Sequence, residues 1–493
     1  MQKISVKTIY LILVISIGLV GLGVGSTFAM FTASSKIDNP ISFTAGIFGE
    51  SDVIETVEVT VPAGETKATN LHVTNSTNSN LNYVMWYIDE GLDIELGSKR
   101  TDSGTYQTTI DAGEEHKYEV SIRNNSSSSV TVVIGVSSGT GSVTLSSDMK
   151  MVPQSELKLK PTLASVITNL YNNSTKTAVP NNSITYQYDT TNNLMKDTAG
   201  NIRYYGASPN NYVYFNCDSY PSTNCELWRI IGVFDGKIKL IRNKTIDLYS
   251  WDNKNKSTGA ETAYGKNDWT TARLMKLLNP STYYTTDAND NGKGQSLYWN
   301  ATSGACYSGQ NNATISCNFT STGIKDTTRN MIAETTWNLV GWNTSDIYSN
   351  VMYEKERGTT TVSNPSDGIT RATTWTGKIA LPYPSDYGYA TDLSKCSQTL
   401  FNYNSGTDSY ACRSNDWMYS IITNSGINDG WLLTPYSGYA YMAFGVHSSG
   451  YVNSNNAVYH AYGVAPVLYL GSDQDIVAWD GDGSQSNPYQ LAA

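Results

Sequence analysis

The sequence predicts a multidomain, β-rich protein in which an N-terminal all-β sandwich precedes an α+β domain. Its 493 residues exceed what one hydrophobic core organises, so more than one domain is expected. Residues 41–145 alternate short apolar runs with turns rich in Gly, Asn and Ser, which is typical of a sandwich. The second half mixes strand pairs with helical periodicity, which indicates an α+β domain.

The composition is that of a folded chain with few charges. Charged residues make up 15% of the sequence, hydrophobic residues make up 39%, and tyrosine occurs 35 times. This aromatic content argues against a disordered chain, and surface polarity must come from Asn, Ser, Thr and Tyr. A net charge of −10 without basic runs argues against nucleic acid as a partner.

Residues 1–29 have the order of a signal peptide. Lys3 and Lys7 precede an uncharged run over residues 8–24, and Thr27 and Ala29 complete a small-residue cleavage pattern. The alternative is an uncleaved membrane anchor, because the apolar run is close to the shortest spanning length. Both interpretations predict a secreted or cell-surface protein that touches the membrane only through this segment.

The sandwich is predicted over residues 30–152. Turns are expected at 62–64 and 111–113, where Gly follows Ala. Its strands are expected at 53–61, 68–73, 81–88, 106–110, 118–122 and 130–136.

Residues 153–194 are predicted to form one helix followed by a polar linker. Apolar residues recur at helical spacing after Pro161, which suits a first helical turn, and an Asn-rich stretch follows. The α+β domain is then predicted over residues 195–472, with 473–493 as a C-terminal tail.

Within the α+β domain, Asp235 and Gly236 suit a type I′ turn between two strands. Helices are predicted over 270–278, which precedes Pro280, and over 325–340, which precedes Gly341. Closing strands are expected at 430–434, 439–446, 450–452 and 463–470.

The six cysteines occur as sequence-local pairs, which favours disulfides in an exported chain. Metal binding is an alternative, although no Cys-x-x-Cys or Cys/His cluster is present. A catalytic thiol is another. The candidate disulfide pairs are Cys217 with Cys225, Cys306 with Cys317, and Cys396 with Cys412.

Short motifs near the start carry a family resemblance. Residues 28–32 (FAMFT) and 41–46 (ISFTAG), with 112–114 and 118–122 further on, resemble camelysin/TasA-type surface proteins of Gram-positive bacteria. The resemblance covers residues 28–145. It implies export through a dedicated signal peptidase and assembly into surface fibres.

The closing motifs are residues 431–435 (WLLTP), 444–450 (FGVHSSG) and 462–470 (YGVAPVLYL). They resemble the ending of a widespread bacterial surface domain related to the C-type-lectin and formylglycine-generating-enzyme fold, as are Fibrobacter major paralogous domains. Residues 225–234, 331–342 and 384–390 fit the same family. The resemblance implies a C-type-lectin-like α+β domain over about residues 200–470 and no particular activity.

One position departs from that family. The usual Arg before the proline of the last motif is Ala465 here. If that Arg braces the fold or touches a ligand, the brace or the contact is missing.

No complete catalytic constellation is present, so the chain is predicted not to be an enzyme. An oxidase mechanism would need a reactive thiol at Cys396 or Cys412, whose simpler interpretation is a disulfide. A hydrolase mechanism would need His447, but no GxSxG pattern surrounds a serine. A secreted enzyme is therefore the weakest of three functional hypotheses, and the other two are ligand binding and fibre assembly.

Calcium is the one candidate cofactor. Asp287, Asn289 and Asn291 alternate before Gly292 as in the start of a calcium-binding loop. The twelfth position is Tyr298 instead of a bidentate Glu, and a solvated turn is the simpler interpretation.

Tyrosines crowd the last hundred residues among Ser, Gly and Asn, a composition that suits ligand-binding loops. The alternative is that several of them fill the domain core. The leading hypothesis is non-enzymatic binding or adhesion to an extracellular glycan or protein. The second is a structural subunit that self-assembles through the sandwich into an extracellular matrix or fibre. The candidate ligand-binding residues are Trp431, Tyr436, Tyr439, Tyr441, His447, Tyr451 and Tyr459.

Overall fold

The chain forms two compact units, Met1–Lys160 and Pro161–Ala493. The predicted signal over residues 1–29 and the calcium candidates Asp287, Asn289 and Asn291 lie outside the described residues. Within the described ranges, no helix is both long and apolar enough to span a membrane. The computed structural model describes residues 41–45, 53–75, 77–88, 94–96, 108–139, 150–151, 158–159, 162–220, 222–255, 264–286, 292–358, 369–404, 409–471 and 476–492.

The first unit consists of short strands. β2 and β4 have the predicted bounds, because their apolar runs end at turn-forming residues. The strands described in this unit are β1 (Ile41–Ala45), β2 (Val53–Val61), β3 (Thr66–Asn75), β4 (Leu81–Ile88), β5 (Ile94–Leu96), β6 (Thr108–Ile110), β7 (Glu115–Asn124), β8 (Val130–Gly139), β9 (Lys150–Met151) and β10 (Lys158–Leu159).

These strands form two sheets that share one core. One sheet has the order β1-β3-β7-β10, with β5 also paired to β7, and the other has the order β2-β8-β4-β6, with β9 paired to β4. Val61 and Tyr83 of the second sheet belong to the same buried cluster as Val73 and Ile122 of the first. The first unit is therefore a β-sandwich, as the sequence predicts.

The sandwich also contains an internal repeat that the sequence-based predictions missed. Residues 61–88 correspond to residues 110–137, and Ala-Gly-Glu turns lie at equivalent places, 63–65 and 112–114. The strand register repeats as well, because the pair Val61↔Val130 of β2 and β8 is equivalent to the pair Ile110↔Leu81 of β6 and β4. The segments β2-β3-β4 and β6-β7-β8 are thus related by an approximate two-fold rotation.

Asn75 and Asn124 occupy equivalent positions, are fully buried, and each tie one repeat to the other. The Asn75 amide nitrogen donates to the Ile110 carbonyl (3.1 Å), and the Asn124 amide nitrogen donates to the equivalent Val61 carbonyl (2.9 Å). Each carboxamide also closes its own loop, through bonds to Thr77 and Ser79 in one repeat and to Ser126 and Ser128 in the other.

The approximate two-fold axis passes through the pair Trp86↔Gly135, whose members are equivalent in the repeat and face each other across β4 and β8. A Cβ atom on Gly135 would lie 2.2 Å from the Trp86 ring, so two side chains cannot both occupy the axis. One repeat supplies the indole, whose N–H donates to the Ser137 hydroxyl at 2.9 Å, and the other supplies the space.

The helices of the second unit are short. Thr162 caps the first of them by accepting from the Ser165 backbone N–H, which explains why the helix begins at Leu163. Those described are α1 (Leu163–Asn173), α2 (Arg273–Leu278), α3 (Asp326–Arg329), α4 (Ser349–Glu356), α5 (Pro384–Ala390), α6 (Ser409–Arg413) and α7 (Trp417–Ile422), with 3₁₀ turns at Ser281–Tyr283 and Leu400–Asn402.

Strands dominate the second unit. They are β11 (Thr177–Asn181), β12 (Ile184–Asp189), β13 (Leu194–Lys196), β14 (Ile202–Tyr204), β15 (Tyr212–Phe215), β16 (Glu226–Phe234), β17 (Lys237–Arg242), β18 (Leu248–Tyr249), β19 (Ser303–Tyr307), β20 (Thr314–Asn318), β21 (Thr335–Asn338), β22 (Thr374–Gly377), β23 (Ile379–Ala380), β24 (Gly430–Pro435), β25 (Met442–Val446), β26 (Val452–Ala457), β27 (Tyr462–Gly463), β28 (Val467–Tyr469), β29 (Val477–Asp480) and β30 (Gln490–Ala492).

The largest described sheet has the order β11-β12-β13-β14-β16-β17-β28-β23, with β15 also paired to β16. A second sheet has the order β18-β27-β24-β25-β26, and two-stranded pairs are β19-β20, β21-β22 and β29-β30. The hairpin β16–β17 confirms the predicted turn, because Asp235 (φ 48°) and Gly236 (φ 79°) both adopt positive φ.

The predicted linker and tail are both wrong, because these segments belong to the second unit. Strands β11 and β12 extend the large sheet, with Tyr186 and Tyr188 buried. At the end of the chain, Leu491 is buried and the Tyr489 carbonyl accepts from the Tyr214 backbone N–H at 2.9 Å. In strands as short as these, backbone bonds to a neighbouring strand decide the conformation.

The helix predicted over residues 325–340 is also largely wrong. Only α3 is helical there, and β21 pairs with β22 instead, with Trp337 opposite Trp375. β-branched Thr335 and Thr336 favour a strand once a partner strand is available.

All six cysteines form the three predicted disulfides, Cys217–Cys225, Cys306–Cys317 and Cys396–Cys412. The second bridge joins the neighbouring strands β19 and β20. A catalytic thiol at Cys396 or Cys412 is thereby excluded in this oxidised structure.

A buried ion network joins the large sheet to α5. The Asp386 carboxylate accepts from Arg203 of β14 at 3.0 Å and from Lys239 of β17 at 2.5 Å, and Arg203 also donates to Asp197 at 2.6 Å. These four side chains are almost fully buried. Burial opposes ionisation of Asp386, but Lys239 and Arg203 outweigh it and hold the pKa of its carboxyl at about 2.

The buried carboxyl of Asp416 should make the free energy of unfolding depend on pH. Burial raises the pKa of its carboxyl from 3.8 to about 8, although it accepts bonds from Thr391 and from the Met418 backbone N–H. Between these two pKa values the folded protein holds a proton that the unfolded chain releases, so the free energy of unfolding falls as the pH rises from about 4 to about 8. Denaturant unfolding at about pH 5 and about pH 8 should show this loss. The loss should shrink in Asp416→Asn, and an unchanged loss in that variant would contradict the assignment.

Candidate functional site

Among the described residues of the second unit, eight aromatic rings form a continuous series of contacts that we name the aromatic ladder. Successive ring centroids lie 4.4 to 6.1 Å apart. Tyr439 is 48% exposed and Tyr264 is 41% exposed, so the ladder reaches the surface. In order of contact its members are Tyr436, Tyr439, Tyr441, Tyr264, Tyr459, His460, Tyr462 and Trp431.

Strand pairing brings the two main parts of the ladder together. Tyr436, Tyr439 and Tyr441 lie in the connection from β24 to β25, and Tyr459 lies just after β26. Because the start of β25 pairs with the end of β26, these connections leave the sheet side by side, and the Val458 N–H donates to the Tyr441 carbonyl at 2.9 Å.

A buried amide holds the tyrosine-bearing connection in place. The Asn267 side-chain nitrogen donates to the carbonyls of Tyr436, Tyr439 and Met442 at 2.8 to 2.9 Å. The Asn267 side-chain oxygen accepts from the Arg371 guanidinium at 3.2 Å. Buried polar anchors of this kind fix a loop before a ligand arrives, which lowers the entropy cost of binding.

Gly265 places Tyr264 beside the other rings. Its φ is +86°, and a Cβ atom at this position would lie 2.7 Å from the Asp252 backbone. Only glycine satisfies both the left-handed conformation and the close approach.

A second aromatic group lies next to the ladder, at the turn between β25 and β26. The His447 ring stacks on Tyr451 at 4.6 Å, and Tyr451 contacts exposed Phe401 at 5.6 Å. Asp429 lies between the two groups, because its carboxylate hydrogen-bonds with Tyr462 of the ladder and lies 4.0 Å from His447.

The structure brings together four predicted binding residues, Tyr436, Tyr439, Tyr441 and Tyr459, and it places His447 and Tyr451 in the adjacent group. The prediction that Trp431 binds a ligand is wrong, because this residue is fully buried and its indole N–H donates to the Tyr249 carbonyl at 2.9 Å. Its ring packs against that of Tyr462, with the centroids 4.6 Å apart, and it offers no surface for a ligand.

Five residues of this region were missed as binding candidates: Tyr264, Phe401, Asp429, His460 and Tyr462. Tyr264 and Phe401 are distant in sequence from the closing motifs, so no local pattern could have found them. His460 follows Tyr459 directly, and that adjacency was the available signal.

His447 also belongs to a set with the residue types of a hydrolase triad. Its Nδ1 contacts the Ser449 hydroxyl at 2.8 Å and accepts from the Ser449 backbone N–H at 3.1 Å. Its Nε2 lies 4.0 Å from Asp429, which is too long for a hydrogen bond. The Ser449 contacts close the tight turn before Gly450, so the geometry is that of a turn.

Ala465, which replaces the Arg of the resembling family, is buried. The next residue is braced differently, because the Pro466 carbonyl accepts from the Arg242 backbone N–H at 3.0 Å. The Arg242 side chain pairs with Glu226 at 2.8 Å.

A separate shallow groove of about 560 Å³ lies beside α1, away from every predicted site residue. It is lined by Val166 and Leu170 together with the polar residues Asn169, Asn173, Ser174, Thr175, Thr191 and Asn192. Within the described ranges, no group of His, Cys, Asp and Glu is arranged to hold a metal ion.

Comparison with known proteins adds little. No family model matches the chain, and no curated protein matches it. A solved structure described as "Bacillus endospore appendages form a novel family of disulfide-linked pili" is 11% identical and covers 24% of this chain and 100% of its own. The TM-score of 0.10 is too low to carry an argument about fold or function.

Proposed function

We propose that this chain is an exported bacterial surface protein whose second unit binds a glycan, without catalysis, through the aromatic ladder. The observation that carries the proposal is the unbroken series of rings, two of them widely exposed. Tyr436, Tyr439 and Tyr441 of this series lie on a loop that is held in place before binding. Sugar rings present apolar C–H faces and polar hydroxyls, and tyrosine offers a surface for both.

The cellular location in this proposal is supported by the disulfides. Three bridges and no free cysteine fit an extracellular protein, because such bonds persist in oxidising compartments. The predicted export signal points the same way.

The finer fold assignment is also a proposal. The closing motifs support a C-type-lectin-like fold for the second unit, and the early motifs support a camelysin/TasA-type sandwich for the first. An experimental structure that superposes on neither fold would reject these assignments.

The test is binding of the purified full chain to a glycan array, with Tyr459→Ala and Tyr441→Ala as variants. Each substitution should weaken binding of the selected glycan by about 10-fold to 100-fold, because aromatic contacts at the centre of an interface carry most of its free energy. Tyr410→Ala is the matched control: it removes an exposed tyrosine whose described ring contact is with Arg413.

Equal affinities for the wild type and both ladder variants would reject the ladder as the site. An array without any bound glycan, together with ladder-dependent binding to a protein, would replace the glycan by a protein ligand.

A further inference from the structure

Asp429 places a carboxylate where the ladder meets the second aromatic group. It directly precedes β24, and its Oδ1 accepts from the Ser448 backbone N–H at 2.8 Å, which fixes its orientation. The side chain remains 19% exposed. A ligand that lies along the ladder can therefore reach it.

Among the residues that the structure describes, no Lys or Arg forms an ion pair with this carboxylate. Within the described part of the chain, its one ion-pair neighbour is His447, at 4.0 Å. His460 faces the same carboxylate, but burial lowers the pKa of its imidazole, which disfavours the cationic form of that ring. The remaining rings around Asp429 are those of Tyr451, which stacks on His447, and of Tyr462, which contacts His460 and Trp431.

We propose that the glycan bound by the ladder carries an ammonium group, as in an unacetylated amino sugar, and that Asp429 receives this group. The inference rests on the proposed glycan-binding function and names the class of sugar. A neutral sugar can offer the carboxylate only hydroxyl hydrogen bonds, whereas an ammonium group offers charge-assisted hydrogen bonds and also balances the negative charge.

The experiment compares two ligands of equal length, an oligomer of β-1,4-linked glucosamine and its fully N-acetylated counterpart, at a pH at which the free amines are protonated. The wild-type full chain should bind the amine form about tenfold more tightly. Asp429→Asn keeps an acceptor for the Ser448 N–H but removes the charge. It should abolish the preference by weakening binding of the amine form more than binding of the acetylated form.

Two further variants separate the possible causes. Tyr459→Ala should weaken both oligomers together, because the ladder serves both. His447→Gln should retain the preference for the amine form, because it removes the histidine beside the carboxylate and leaves the carboxylate itself in place. Unchanged thermal unfolding of Asp429→Asn shows that the fold is intact.

The outcomes distinguish this inference from the proposed function. If Tyr459→Ala weakens glycan binding but Asp429→Asn does not alter the preference, the charge assignment is wrong and the binding function stands. An equal loss of both oligomers in Asp429→Asn would make Asp429 a hydroxyl acceptor and would also overturn the inference. If neither oligomer nor any arrayed glycan binds, the proposed function itself fails.

Discussion

Asp386→Ala is expected to lower the free energy of unfolding of the second unit by about 3–5 kcal/mol. The substitution leaves Arg203 and Lys239 buried without the carboxylate that both of them contact. It also removes an acceptor for the Tyr383 backbone N–H at the start of α5. Denaturant unfolding of the full chain, followed through the many tryptophans of the second unit, measures the loss.

The matched control for this prediction is Asp326→Ala, which breaks a surface ion pair with Arg329. Its carboxylate is mostly exposed, so water replaces the lost contact and the unfolding curve should change little. Comparable losses in the two variants would show that burial of the network does not set its contribution.

Asn75→Ala and Asn124→Ala are expected to destabilise the sandwich by about 2–3 kcal/mol each, and by the same amount. Either substitution leaves buried backbone carbonyls without a donor in both repeats. The reason is that each carboxamide bonds to its own loop and to the end of a strand in the other repeat. Calorimetry of the full chain should show the same transition shifted equally in both variants.

Asn78→Ala and Asn125→Ala are the controls, since both residues are exposed in the same two loops. Both controls should unfold like the wild type. Clearly unequal effects of Asn75→Ala and Asn124→Ala would contradict the functional equivalence of the two repeats.

The internal repeat of the sandwich is visible in the sequence at only a few positions. Ala-Gly-Glu at 63–65 and 112–114, and Asn at 75 and 124, are all readable from the chain. Most of the remaining positions differ, because a strand needs only an alternation of apolar and polar residues. The shared register of the paired strands is what makes the repeat evident.

Local features were well predicted wherever the residues that determine them lie within one short segment. The Asp235-Gly236 turn, the helix after Pro161 and the three disulfides each depend on residues close together in sequence. The predictions failed for residues 177–196 and 325–340, where the local pattern is compatible with more than one state.

By itself, the sequence determined that this chain has a sandwich followed by a β-rich unit with helices, stapled by local disulfides and rich in tyrosine. The tertiary structure alone decided which tyrosines meet. Tyr264 contacts Tyr441 and Tyr459, which lie nearly two hundred residues further along the chain. Trp431, which was predicted to contact a ligand, is buried in the core. The physical reason is that strand pairing and burial act between distant segments, whereas periodicity and turn chemistry act within one.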